Sequence, residues 1–285
     1  MCFRTVLLLS ICLAFLTGCG VEAAVVPMHP VSGTAPTQSS APGTLTVFAA
    51  ASLTDAFTEI GQQFEAGHPG VKVVFNLAGS QALSQQLGQG APADVFASAN
   101  TKEMKNAIAA GRIADGSQKT FAHNKLVVIY PTDNPAGLSK LEDLAKPGLK
   151  LVLAAEEVPV GKYSLEFLDK AVQDATFGAT FKDDVLKNVV SYEENVKAVL
   201  TKVALGEGDA GIVYLTDISL DNAGEVSRLE IPDPLNAVAA YPIAEVSDAA
   251  QPELARAFVD LVLSAQGQAI LAKHGFLAAN WPAER

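Results

Sequence analysis

The chain has 285 residues, with 31 Asp and Glu against 20 Lys and Arg, and a formal net charge of -11. That balance, with no basic stripe along the chain, argues against nucleic acid as a partner. All three cysteines lie at or before Cys19, which excludes disulfides and thiolate ligands from the rest, and His29, His68, His123 and His274 are scattered without the spacing of a zinc site.

Residues 1–18 open with the basic Arg4, continue through an apolar run from Thr5 to Phe15 and close on Leu16-Thr17-Gly18 ahead of Cys19. This is the pattern of a bacterial lipoprotein signal peptide, whose cleavage leaves Cys19 as a lipid-bearing N-terminus. The apolar run is shorter than the roughly 20 residues of a membrane span. The expectation is an extracytoplasmic protein, lipid-anchored to the bacterial cell membrane, periplasmic or on its outer face. Residues 19–43 hold the lipidated Cys19 and then a Pro, Ser, Thr, Ala and Gly stretch that reads as a flexible spacer.

The body begins with a β-rich run over 44–50. Apolar side chains at Leu53, Ala56, Phe57, Ile60 and Phe64 then mark one face of a helix over 53–64. Ser52 with Asp55 has the form of a capping box at its start. The unit repeats, with a strand over 71–77, the turn Ala78-Gly79-Ser80 and a helix over 81–87. A strand over 92–98 and a helix over 101–110 follow. A long strand over 125–131 leaves this first set. Next come a helix near 138–144, a strand over 149–154, a helix over 160–172, a segment at 185–191, a helix over 193–205 and a strand over 210–214. An apolar strand near 236–243 precedes helices over 252–263 and 266–273.

Strands alternating with helices predict an α/β fold of two lobes, each a mixed, mostly parallel sheet flanked by helices. The late strand and its helices return to the first lobe. Residues 44–123 with 234–285 are therefore assigned to lobe 1 and residues 124–233 to lobe 2, joined by two hinge crossovers. In such sheets a ligand lies beyond the carboxyl ends of the strands, where helices begin. Ala50-Ala51-Ser52, Ala78-Gly79-Ser80 and Ala97-Ser98-Ala99 occupy such places. Each can offer backbone N–H groups and a hydroxyl to an anion, or serve only as a helix cap.

The segments Thr46-Val47-Phe48-Ala49-Ala50-Ala51-Ser52-Leu53-Thr54, Gly90-Ala91-Pro92-Ala93-Asp94-Val95-Phe96-Ala97-Ser98-Ala99 and Gly211-Ile212-Val213-Tyr214 resemble the periplasmic molybdate-binding proteins of ABC transporters. The likeness extends over 44–276 and includes Val158-Pro159-Val160-Gly161, Ser264-Ala265-Gln266-Gly267 and His274-Gly275-Phe276. It implies a two-lobed, class II type solute-binding fold that closes on a tetrahedral oxyanion with no side-chain cation in contact. The resemblance carries the binding roles to the Ser52 and Ser80 hydroxyls, the Val160 and Val196 backbone amides and the Tyr214 hydroxyl. Better-known members have alanine where Val160 stands, which bears on pocket volume. Many have aspartate in place of Asn195.

The implied ligand is molybdate or tungstate. No other cofactor is implied, and no metal is held as a bare cation, because the molybdenum or tungsten enters within the oxyanion. The implied partners are the transmembrane subunit of an ABC permease, its ATPase through that subunit, and the membrane through the N-terminal lipid, for a monomeric receptor. A donor-only pocket suits such ions. Each hydrogen bond to a charged group contributes roughly 1.5–3 kcal/mol net, which offsets lost hydration. It also disfavours phosphate, whose remaining hydrogen needs an acceptor. Sulfate passes that test, and only its smaller size rejects it. A receptor for sulfate, thiosulfate or another small solute is the alternative within this class. An extracytoplasmic hydrolase would need Ser52 or Ser80 as nucleophile with Asp94 or Asp209 as base. Neither serine lies in Gly-x-Ser-x-Gly and no histidine is placed to relay protons, so the chain reads as no enzyme. Asp94 is instead expected to tie its strand to a neighbouring turn. A tethered adhesion module is a third class.

Overall fold

A computed structural model describes residues 43–219 and 224–281. The signal segment, Cys19 and the spacer up to residue 42 lie outside the described residues. Strand β1 (Gly43–Ala50) runs into a single 3-10 turn (Ala51–Leu53) and helix α1 (Thr54–Gly67). Then come β2 (Val71–Ala78), α2 (Ser80–Gly88), β3 (Val95–Ala97), α3 (Thr101–Ala109) and β4 (Lys119–Asn124). The middle of the chain supplies β5 (Leu126–Pro131), β6 (Leu151–Ala154), α4 (Pro159–Ala171), α5 (Phe181–Lys187), β7 (Val189–Glu193), α6 (Val196–Ala204), β8 (Ala210–Tyr214) and β9 (Val226–Glu230). The last elements are β10 (Ala239–Glu245), α7 (Pro252–Leu263), α8 (Ala265–Lys273) and β11 (Leu277–Ala278).

Two mixed sheets organise these elements, in the orders β11-β4-β10-β3-β1-β2 and β7-β6-β8-β5-β9. The first packs against α1, α2, α3, α7 and α8 and the second against α4 and α6, with α5 packed on α4, giving the two-lobed α/β fold. In the first lobe Phe57, Phe64, Phe75, Phe121 and Phe258 interlock through tilted and edge-on rings 5.4–6.3 Å apart, the arrangement that aromatic quadrupoles favour. The chain crosses from one sheet to the other between Asn124 and Leu126 and returns between Glu230 and Ala239. Buried Asn236 stitches the two crossings together. Its Oδ1 accepts from the Leu126 N–H and its Nδ2 donates to the Leu126 carbonyl, both at 2.9 Å.

Several expectations need correcting. Parallel pairing is confined to β1 with β2 and β3 and to β6 with β7 and β8. The strands that carry the crossings, β4, β5, β9 and β10, pair antiparallel, so the sheets are mixed without being mostly parallel. The Ser52–Asp55 capping box does not form. Ser52 lies inside the 3-10 turn, and the N-cap of α1 is Leu53, which has no side-chain acceptor. The helix expected from residue 193 is strand β7 followed by α6, which begins at Val196 behind an Asn195 cap accepting from the Ala198 N–H at 3.0 Å. The helix expected near 138–144 is a 3-10 segment, Leu141–Ala145. Strands β4, β9 and β11 were not foreseen.

Asp94 does tie its strand. One carboxylate oxygen accepts from the Thr46 N–H of β1 at 2.7 Å and the other from the Gln251 N–H ahead of α7 at 2.9 Å. Asp209 accepts from the Lys150 N–H at 2.8 Å, a loop contact. Among the described residues no single helix is long and apolar enough to cross a membrane.

Candidate anion-binding site

The carboxyl ends of the parallel strands in both lobes face one pocket. Lobe 1 contributes Ala50, Ala51 and Ser52 after β1, Ala78, Gly79 and Ser80 after β2, and Ala99 after β3. Lobe 2 contributes Val158, Pro159 and Val160 at the start of α4, Asn195 and Val196 at the start of α6, and Tyr214 at the end of β8. All five residues singled out from the sequence as ligand-binding, Ser52, Ser80, Val160, Val196 and Tyr214, therefore line one cavity. Every lining side chain is uncharged.

The donors in this pocket are free for local reasons. Val160 follows Pro159 in the first turn of α4, and Val196 opens α6. An α-helix leaves such N–H groups without an intrahelical acceptor. No other backbone oxygen among the described residues takes them. The two helix N-termini also bring partial positive charge to the cavity. Ser80 is buried at the first position of α2, where it caps nothing. Its Oγ accepts from the Ala99 N–H at 3.0 Å, which fills a lone pair and leaves the O–H to donate. Ser98, the third serine of the sequence reading, bonds the Asn100 backbone and does not line the pocket. Asn100, not Ser98, caps α3.

The Tyr214 side chain is fully buried, and its hydroxyl has no partner of hydrogen-bonding geometry among the described residues. Burial, then the neighbouring Tyr241, Tyr163 and Asp217, hold its phenol well above the ordinary range. It therefore keeps its proton and acts as a donor. A buried, unmatched donor costs about 1–3 kcal/mol, which an oxyanion in the pocket would recover.

A layer of residues that the sequence reading did not single out supports these donors. The Tyr241 hydroxyl lies 2.9 Å from Ser52 Oγ and receives the Asn124 side-chain N–H at 3.3 Å. Asn124 also donates to Thr216 Oγ1 at 2.7 Å, just beyond Tyr214. Lys197, one residue after Val196, pairs with Asp55 of lobe 1 at 3.1 Å and approaches Asp217 of lobe 2 at 4.0 Å. Asp217 accepts from the Tyr214 N–H at 3.0 Å. Burial pushes its carboxyl up to about 7, against the pull of Lys197 and of that N–H, with Asp55 adding to the rise. The lobes also touch through Gln81, whose Nε2 donates to the Glu194 carbonyl at 2.9 Å. A tyrosine, an asparagine and a lysine in ordinary apolar or amphipathic runs carry no local signature of such roles.

The histidines have structural partners. His68 stacks on Phe64, His123 bonds the Ala278 carbonyl and His274 pairs with Glu59 at 2.8 Å; His29 lies outside the described residues. No group of three or more His, Cys, Asp or Glu side chains converges among the described residues in a way that suits a metal ion.

The profile described as bacterial extracellular solute-binding protein matches residues 45–277. The molybdate-binding protein ModA of Mycobacterium tuberculosis H37Rv is 41% identical over 272 residues, covering 95% of this chain and 96% of that protein. ModA of Escherichia coli K12 is 32% identical, covering 82% of this chain and 89% of its own. Among solved structures, the substrate-binding domain of a putative molybdenum ABC transporter from Clostridium difficile matches with a TM-score of 0.61 and 29% identity, over 83% of this chain and 99% of that one. The chain belongs to the bacterial extracellular solute-binding protein family and is related over nearly its whole length to the molybdate-binding proteins.

Proposed function

We propose that this chain is an extracytoplasmic receptor that captures molybdate or tungstate between its lobes and delivers it to an ABC import permease, whose ATPase drives uptake. The observation that carries this reading is the convergence, from both lobes, of neutral donors on one pocket that has no charged side chain in its lining. The Ser52, Ser80 and Tyr214 hydroxyls and the Val160 and Val196 amides are its binding groups. The related molybdate-binding proteins support the choice of ion. The family is one of solute carriers and not of catalysts. The chain has no Gly-Lys-Ser/Thr phosphate loop of its own.

Neutral donors suit a doubly charged guest because a Lys or Arg in contact would carry its own desolvation cost and hold many anions with little regard to shape. Since both lobes supply donors, the guest stabilises their closure over it. Residues 44–123 with 234–285 form lobe 1 and residues 124–233 form lobe 2 in this reading, with the two crossings as the hinge. Cleavage before Cys19 and lipidation there tether a monomeric receptor to the membrane face.

The test is calorimetric titration of the purified protein with molybdate, tungstate, sulfate and phosphate. Tight binding of the first two and none of phosphate is expected. Equal affinity for sulfate and molybdate would defeat the matching of cavity size to ion.

A further inference from the structure

Tyr241 lies in β10 beside a register shift between Tyr241 and Pro242. Proline has no N–H to give a central ladder, and such a bulge re-aims the neighbouring side chain. The ring is fully buried and packs edge-on against Tyr214, Phe121 and Phe276, with centroids 5.4–6.2 Å away. Its hydroxyl is thereby fixed behind Ser52, outside the pocket lining.

The direction of the hydrogen bond between Ser52 and Tyr241 decides what Ser52 offers to a guest. The Asn124 amide is oriented from two sides, its Oδ1 accepting from the Lys125 N–H at 3.0 Å and its Nδ2 donating to Thr216 Oγ1 at 2.7 Å. Nδ2 therefore presents N–H to Tyr241. With that lone pair filled, Tyr241 can donate to Ser52 Oγ, which turns the serine proton into the pocket. In the reverse arrangement Ser52 donates to Tyr241 and shows the guest a lone pair. Burial holds the Tyr241 phenol well above its ordinary range, so the group keeps its proton in either case.

We propose that Tyr241, held by Asn124, is the positioning residue that keeps Ser52 a donor toward the pocket and so sets the preference for fully deprotonated oxyanions over protonated ones. The inference rests on the reading of the pocket as an oxyanion site and adds to it a residue outside the lining. A guest with four accepting oxygens stabilises the arrangement in which Tyr241 donates to Ser52. Phosphate near neutral pH carries at least one hydrogen and gains from a Ser52 free to accept.

The experiment is a double-mutant cycle on the full chain, with Tyr241→Phe, Ser52→Ala and the double variant titrated with molybdate and with phosphate. Phe keeps the ring packing and removes only the hydroxyl. Tyr241→Phe is expected to weaken molybdate about 10-fold and to bring phosphate into the measurable range, lowering the molybdate-to-phosphate ratio by more than the molybdate loss alone. In the Ser52→Ala background the same change should alter neither, because its effect passes through Ser52. Additive losses, or phosphate still unmeasurable with Tyr241→Phe, would overturn the proposal. If Ser52→Ala alone leaves molybdate binding unchanged, the reading of the site itself is what fails.

Discussion

In the proposed reading a single hydroxyl in this pocket is worth more than its size suggests, because it would meet a full charge away from water. Removing one such donor costs roughly 1.5–3 kcal/mol, or about 10- to 150-fold in affinity. Ser80→Ala and Tyr214→Phe are each expected to weaken molybdate by that amount in calorimetry, and Tyr214→Phe, which removes a buried hydroxyl without a partner among the described residues, is expected to raise the unfolding temperature of the ligand-free protein. Asp217 yields a prediction of another kind. Its carboxyl is held up to about 7 by burial, against an ordinary value of 3.8. Between those values the folded protein keeps a proton that the unfolded chain has released, so this group lowers stability as pH rises through that window. Asp143 acts in the opposite sense. Burial raises its carboxyl, but bonds from Ser139, Lys146 and Lys140 outweigh that and lower it to about 2, so its contribution is lost only as pH falls below 3.8. Urea unfolding at pH 5 and pH 7 should therefore show Asp217→Asn gaining stability relative to the native protein at the higher pH. An equal difference at both pH values would refute the assignment.

Helix starts are the elements on which the site depends, and Gly161 shows how tightly one of them is placed. A Cβ on Gly161 would collide with the Ala155 carbonyl oxygen and lie 2.6 Å from that of Ala154. Helix α4 can thus approach the end of β6 closely only because this residue lacks a side chain. Gly161→Ala is expected to cost about 1–3 kcal/mol of stability, as overpacking does, and to weaken molybdate by tilting the Val160 amide. Urea unfolding and titration of the same sample check both. The strand-turn-helix units that carry Ser52, Ser80 and Val160 were legible because apolar periodicity and small-residue turns are local signals. Strand β4, with Lys119, Thr120, His123 and Asn124, has too few apolar side chains to announce itself, and its strand character comes from pairing with β10 and β11. The same holds for β9, whose partner β5 lies almost a hundred residues earlier. The Ser52 and Ser80 turns stand out locally and the family resemblance supplies the five binding roles, whereas Tyr241 and Asn124 act through contacts 117 residues apart in sequence, which no local pattern encodes.

At the scale of the whole molecule, the fit between lobes turns on Gly79 and on one ion pair. A Cβ on Gly79 would lie 2.5 Å from the Glu194 carbonyl on the opposite lobe, although the backbone at φ -59° and ψ 135° accepts any residue. Gly79→Ala should therefore fold normally yet weaken molybdate by about 10-fold or more. An unchanged affinity with an unchanged melting curve would show that the lobes need not come so close. The Asp55–Lys197 pair also spans the cleft, but its side chains are 36% and 27% exposed, and pairs of that kind contribute about 0–1 kcal/mol. Asp55→Asn is expected to shift the molybdate dissociation constant by less than about 5-fold, with a smaller effect at high ionic strength. Set beside several charge-assisted bonds, that pair aligns the two halves without holding them shut. In the proposed reading a vacant receptor therefore draws little cohesion from that pair, and the guest's own bonds supply the drive to shut.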